Sequence, residues 1–226
     1  MRVQRLVMLR HGQTEFNAGS RMQGQLDTHL TELGRAQAAA AAEVLGKYQP
    51  LLILSSDLRR AYDTAVVLGE RTGAEVRVDP RLRETYLGDW QGLTHAQIDA
   101  TYPSARTTWR DDACWAPPGG ESRVDVARRS LPLIAQLARD QEWGADERPV
   151  VLVAHGGLIA ALTAALLRLP VDNWPVLRGM GNASWTQLSG YSDELFGSSE
   201  GSAGLKVIQW RLDVWNASAQ VANDVL

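Results

Sequence analysis

The sequence predicts an α/β protein: a three-layer α/β/α arrangement with a mostly parallel central sheet and a small cap insertion. Three observations carry that prediction. Short unbroken apolar runs at residues 6–9, 51–54 and 150–154 have the length and composition of strands buried on both faces. Helical patterns alternate with them, as parallel βαβ units require. Between residues 81 and 120 glycine and proline break the alternation, which marks an insertion beside the sheet.

The first strand covers residues 5–9. An alanine-rich helix follows over 31–47, with Thr31 as its N-cap. Residues 51–54 form the second strand. Ser55, Ser56 and Asp57 then offer capping side chains for a helix to about Arg71, stopped at Thr72-Gly73. A third strand spans 75–78. Within the insertion, Gly88, Gly92, Pro103, Pro117-Pro118 and Gly119-Gly120 separate short helices at 94–101 and 105–111. Helical periodicity resumes over 122–141, where Pro132 should kink the helix or divide it. Residues 150–154 form the fourth strand, and 157–168 an apolar helix better suited to the core than to a subunit contact. Segments 183–188 and 206–215 read as strands that could add an antiparallel edge, and the Gly/Ser/acidic stretch 190–204 between them reads as a loop. With no repeat or linker visible, residues 1–226 read as one domain.

Composition narrows the function classes. Lys plus Arg number 23 against 26 Asp plus Glu, a net charge of −3, so no global charge recruits nucleic acid or an anionic membrane. Any cationic site must be local. Cys114 is the sole cysteine, which excludes an intrachain disulfide framework and a multi-thiolate metal site and fits a reducing compartment. The apolar run before Arg10 is too short for a signal segment, and 158–167 is too short to span a bilayer. A soluble, cytoplasmic protein is expected, with the sequons at Asn182 and Asn216 there by chance.

Chemistry gathers at strand ends. Arg10-His11-Gly12 follows the first strand and His155-Gly156-Gly157 the fourth, where α/β sheets collect ligands and glycines let backbone N–H groups approach an anion. Arg59 and Arg60 fall in the first turn of a helix, where the macrodipole disfavours positive charge by about 0.3–1 kcal/mol each. A bound anion would reverse that penalty. Singly, each of these residues and Glu84 has an ordinary structural explanation. Together, two histidines, the arginines and one acid supply every role in phosphoryl transfer through histidine.

The ordered set Leu9-Arg10-His11-Gly12-Gln13-Thr14 with Asn17, Gln23-Gly24, 55–61 with Thr64, Arg83-Glu84, Gly88-Asp89-Trp90-Gln91-Gly92, 119–122 and 153–157 resembles the histidine phosphatase (phosphoglycerate mutase-like) superfamily over residues 5 to about 170. The resemblance implies that His11 is the nucleophile that becomes phosphorylated, that Arg10, Arg60 and His155 bind the phosphoryl group, and that Glu84 is general acid and then base. Asn17, Gln23 and Gly24 match positions near the phosphate and the substrate entrance, although turn stabilisation explains Asn17 nearly as well.

Elementary chemistry gives each role a requirement. His11 must be neutral, with one ring nitrogen donating to a backbone carbonyl so that the other can attack phosphorus. Arginine offers a planar fork to two phosphate oxygens and keeps its charge. An alcohol leaves poorly as alkoxide, so a proton donor is needed. Neighbouring arginines favour the ionised form of Glu84, and bound dianionic phosphate is expected to reverse that preference. No metal and no other cofactor is expected, because the arginines already neutralise phosphate.

The segment after Glu84 lacks the longer basic insertion of the mutases and resembles the phosphatases. Stretches 20–27, 88–99 and 210–220 are similar to members that dephosphorylate a glucosylated phosphoglycerate in methylglucose-containing polysaccharide synthesis. A broad-specificity sugar or phosphoacid phosphatase, a phosphoglycerate mutase and a noncatalytic phosphoester binder remain as alternatives. Trp90, Trp109 and Trp115 could stack on a sugar or pack the cap, and packing is the more ordinary role. His29 and His95 read as ordinary polar residues. Partners are a phosphorylated small molecule and, because related phosphatases pair, a second copy in a homodimer.

Overall fold

In the computed structural model, which describes residues 2–140, 142–177, 179–192 and 208–219, the strands β1 (Arg2–Arg10), β2 (Leu52–Ser55), β3 (Val76–Val78), β4 (Val150–Ala154), β5 (Trp185–Ser192) and β6 (Ile208–Ala217) form one sheet in the order β3-β2-β4-β1-β5-β6. The first four of these in space run parallel. β5 lies antiparallel to β1, and β6 antiparallel to β5. The sheet is thus mixed, with the antiparallel edge that the last two segments suggested.

Helices α1 (Glu15–Ala18), α2 (Glu32–Leu45), α3 (Arg59–Thr72), α4 (His95–Thr101), α5 (Ala105–Asp111), α6 (Arg123–Leu137) and α7 (Gly156–Leu166) complete the described elements longer than a single 3-10 turn, apart from a 3-10 segment at Val171–Val176. Alternation along β1 divides the core. Leu6 and Met8, with Leu152, pack on Val126 and Leu133 of α6 and Leu158 and Leu162 of α7. Val7 and Leu9, with Ile53, Val151 and Val153, face Ala41 and Leu45 of α2 and Ala61, Ala65 and Leu68 of α3. Each large apolar side chain so buried contributes about 1.5–3 kcal/mol of transfer free energy. The central strands need apolar residues at every position because both faces are covered. α7 is buried on all sides, which its apolar sequence requires of a core helix. Among the described residues no helix is long and apolar enough to cross a membrane.

Three expectations are corrected. β1 begins at Arg2 rather than residue 5, because β5 pairs along Arg2–Leu9 and extends the strand past its apolar run. Residues 190–192 continue β5 and are not loop: Gly190 pairs with Gln4 and Trp210, and a Cβ there would sit 2.7 Å from Ile208 Cγ2. Glycine is present for close packing. The rest of the expected loop, 193–204, and the start of the last strand at 206–207 lie outside the described residues. Third, Pro132 does not divide α6, which runs as one helix to Leu137 and stops short of 141. Val126, Ala127, Ser130, Leu133 and Ile134 are buried on both sides of it, outweighing a cost of about 3 kcal/mol for an interior proline.

The cap carries its own small core of Leu87, Trp90 and Ile98, with Met22, Trp109 and Trp115 against it. Its two ends meet at Gly88, whose φ of +51° and contact with the Pro118 carbonyl admit no side chain.

Candidate active site

Strand register places the two histidines together. Arg10 and Ala154 are partners in adjacent parallel strands, so the next residue of each, His11 and His155, leaves the sheet at the same edge. Their ring centroids lie 5.1 Å apart, at 59°.

His11 is 2% exposed, and its Nδ1 lies 2.7 Å from Gly12 O. A carbonyl can only accept, so the proton sits on Nδ1 and Nε2 carries the lone pair. Arg60 Nε donates to that Nε2 at 3.2 Å. Burial, then Arg60 and Arg10, hold His11 well below the usual imidazole range, so it is neutral. Tautomer and charge are those a nitrogen nucleophile needs.

Arg60, 1% exposed, also donates through Nη1 to Leu26 O and through Nη2 to Gly24 O, both at 2.8 Å. Burial pushes it down to about 10, with Glu84 and Asp27 opposing, and it stays charged at neutral pH. Thr64, one turn along α3, donates to Arg60 O and accepts from Gly12 N, tying the helix to the loop that follows His11.

The start of α3 differs from expectation. Its N-cap is Leu58, with no side-chain cap of its own. Asp57 instead makes a two-pronged pair with Arg83, and Asp27 accepts from Arg59 N at 2.8 Å. A protein carboxylate therefore meets the helix N-terminus that the sequence suggested would hold a bound anion. Arg59 turns outward to Asp63.

Arg10 donates through Nη1 to Met180 O, while its Nε is buried without a hydrogen-bond partner. Burial lowers its pKa and Glu84 raises it. Both ring nitrogens of His155 are likewise buried and unpartnered. Burial first, then Arg60, His11 and Arg10, keep this imidazole neutral. Buried polar atoms without partners are costly, and these three flank His11.

Glu84 stands at the N-terminus of α7. Oε2 accepts from Gly157 N at 3.1 Å, and Oε1 accepts from Leu158 N at 3.0 Å and Thr85 N at 2.8 Å. Gly157 leaves room for this, since a Cβ there would lie 2.5 Å from Oε1. The glycines after His155 do admit an anion, and that anion is the protein's own carboxylate.

One cavity of about 310 Å³ joins Arg10, His11, Arg60 and Glu84 to Asn17, Gln23 and Gly24 and, at the cap, to Arg21, Met22, Leu87, His95 and Trp109. Asn17 Oδ1 closes the capping box of α1 with Thr14 and accepts from Asn182 Nδ2 at 3.1 Å. Turn stabilisation is thus one role of Asn17. Gln23 Oε1 accepts from Thr28, and Gly24 contributes its carbonyl to Arg60. Trp90 is fully buried with the tilted ring of Trp115 packed 5.5 Å from it, and of the cap tryptophans Trp109 reaches the cavity. His95 lines it too, which its sequence context did not signal.

Sequence reasoning also missed Asn182, which donates to His11 O at 3.2 Å, and Asp27. Neither carries a local signal: each acts on a residue remote in the chain. Among the described residues no group of three or more His, Cys, Asp or Glu could hold a metal ion.

A model of the histidine phosphatase superfamily (branch 1) matches residues 6–197. The chain belongs to that superfamily. This histidine phosphatase is 75% identical, over 230 aligned residues covering all of both chains, to a glucosyl-3-phosphoglycerate phosphatase of Mycobacterium tuberculosis. A solved mycobacterial glucosyl-3-phosphoglycerate phosphatase complexed with VO3 superposes with a TM-score of 0.86 at 73% identity, covering 95% of this chain and 100% of that one. The complex of such a phosphatase with inorganic phosphate gives 0.85 at 73% identity, with 97% and 100% coverage.

Proposed function

We propose that this histidine phosphatase hydrolyses glucosyl-3-phosphoglycerate to glucosylglycerate and phosphate through a phosphohistidine at His11. The observation that carries the chemistry is the His11 ring: Nδ1 anchored on Gly12 O, Nε2 unprotonated, with the buried Arg60 and the half-buried Arg10 beside it. Full-length likeness to a glucosyl-3-phosphoglycerate phosphatase supports the choice of substrate.

Arg10, Arg60 and His155 bind the phosphoryl oxygens, and Arg60 Nε exchanges its bond to His11 for one to phosphate. The Nε2 lone pair forms the N–P bond as the P–O bond to the alcohol breaks, and Glu84 gives its proton to the departing oxygen. Glu84 then takes a proton from water as the new O–P bond forms and the N–P bond breaks. Positive charge around the phosphoryl oxygens supplies most of the stabilisation. Asn17 and Gln23 face the substrate from the cavity wall, and Trp109 presents its ring to the sugar. A cytoplasmic homodimer goes with this reading, and sizing chromatography tests the pairing.

The test incubates purified protein with glucosyl-3-phosphoglycerate, 3-phosphoglycerate and several sugar phosphates, measuring free phosphate against isomerised product. Preference for the glucosylated ester with phosphate release is expected, and His11→Ala should abolish it. Isomerisation without release, or preference for the unglycosylated phosphoacid, overturns the reading.

A further inference from the structure

Five hydrogen bonds run from one guanidinium that lies outside the phosphate site. Arg129 of α6 donates to Arg81 O (2.7 Å), Arg83 O (2.8 Å), Glu84 O (2.9 Å), Glu121 Oε1 (2.9 Å) and Glu121 Oε2 (3.1 Å). Glu121 Oε2 in turn accepts from Tyr86 N at 2.8 Å, and Glu121 N donates to Tyr86 O at 2.7 Å. The pair is three-quarters buried, its side chains 22% and 23% exposed.

What this pair holds is the main chain around Glu84. Residues 83–87 belong to no helix or strand, so no ladder of backbone bonds fixes them. Isolated main-chain bonds reach them at Arg83 N, Tyr86 O and Leu87 O, and at Glu84 itself the carbonyl is held by side chains, Arg129 Nη2 and Gln25 Nε2, the latter at 3.0 Å. An arginine is required at 129, because three carbonyls and a carboxylate are reached at once by a planar fork of five donors, a geometry lysine lacks.

We infer that Arg129 and Glu121 are positioning residues that hold the Glu84 main chain so that its carboxyl group stays on the α7 N-terminus and in line with the leaving oxygen. The inference rests on the reading of Glu84 as proton donor. Neither residue lines the cavity that holds His11. A displacement of about 1 Å in a reacting group costs on the order of a hundredfold in rate, and an unlaced five-residue segment allows that much.

The test compares kcat/KM for an aryl phosphate, whose phenolate leaves without a proton, with kcat/KM for an alkyl phosphate, whose alkoxide needs one. Arg129→Lys and Glu121→Gln are each measured beside Glu84→Gln, with circular dichroism to establish folding. The expected result, for all three variants, is a loss on the alkyl ester that exceeds the loss on the aryl ester by about 10- to 100-fold. Equal losses on both esters, or no loss, in folded Arg129→Lys and Glu121→Gln overturn the inference while Glu84→Gln remains selective. A Glu84→Gln variant without selectivity overturns the proton-donor reading instead. Should Arg129→Lys fail to fold, Glu121→Gln, which keeps the side-chain volume, decides alone.

Discussion

Lowering the pH from about 7.5 to about 5.5 should cost this fold about 2–3 kcal/mol through His11 and His155. Both are fully buried and held well below the ordinary imidazole value of 6.5, chiefly by burial and then by the arginines beside them. In the unfolded chain each regains that ordinary value. The unfolded state therefore binds more protons below about pH 6.5, and stability, complete above that value, falls as pH drops. A histidine that stays neutral in the fold costs it RT ln(1 + 10^(6.5−pH)), with 6.5 the unfolded value; this is between about 1 and 2 kcal/mol at pH 5.5 and close to zero at pH 7.5. Asp57, Asp79 and Asp125, whose values are lowered from 3.8, act in the same direction but only in more acid solution. His95 also shifts downward but is more exposed and adds less. Urea unfolding followed by tryptophan fluorescence in phosphate-free buffer measures the loss, and His11→Asn should remove about half of it. Stability that is flat, or that rises, toward pH 5.5 would refute the neutral, buried pair.

Other substitutions separate site from scaffold. Gly157→Ala places a Cβ 2.5 Å from Glu84 Oε1, where ordinary contact begins at 3.4 Å, so the carboxylate must retreat by about 0.9 Å. Turnover of alkyl phosphates should fall about a hundredfold, and because the retreating carboxylate gives up its bonds to Gly157 N and Leu158 N, urea unfolding should show a loss of about 0.5–2 kcal/mol. Gly12→Ala drives a Cβ into the Gly34 carbonyl, which is backbone and cannot yield, so urea unfolding should show a loss of at least about 1–3 kcal/mol. Arg60→Lys cannot reach Gly24 O, Leu26 O and phosphate together, and kcat/KM should drop about 10²–10³-fold in a folded protein. Trp109→Ala should weaken turnover of a glucosylated substrate and spare an aryl phosphate, whereas Trp90→Ala should destabilise the cap by about 3–5 kcal/mol.

Much of the fold was legible because the signals are local. The cap helices fall at His95–Thr101 and Ala105–Asp111, where a capping threonine and flanking proline and glycine point to them. β4 lies on its apolar run with no shift at all. Errors arose where a remote partner decides. β1 is longer than its apolar stretch because β5 pairs with it, and Gly190 reads as a loop residue until Trp210 is seen against it. Pro132 breaks a local rule that the buried face of α6 overrides. Helix α3 has capping candidates directly before it, yet Arg83 draws Asp57 away and Asp27 replaces it.

By itself the sequence determined which chemical groups are present and on which elements they ride: two strand-end histidines, a first-turn arginine, and one acid at the entrance to a cap. Residue type and short-range periodicity suffice for that. Tertiary structure decided how those groups stand toward one another. The pairing of Arg10 with Ala154 sets the histidines side by side, the carbonyls of Gly24 and Leu26 aim Arg60 at His11, and the α7 N-terminus receives Glu84. Asn182, Asp27 and the Arg129–Glu121 pair enter only at this level. Their bonds join elements distant in the chain, and periodicity, which reports which face of an element is buried, does not report which partner waits there.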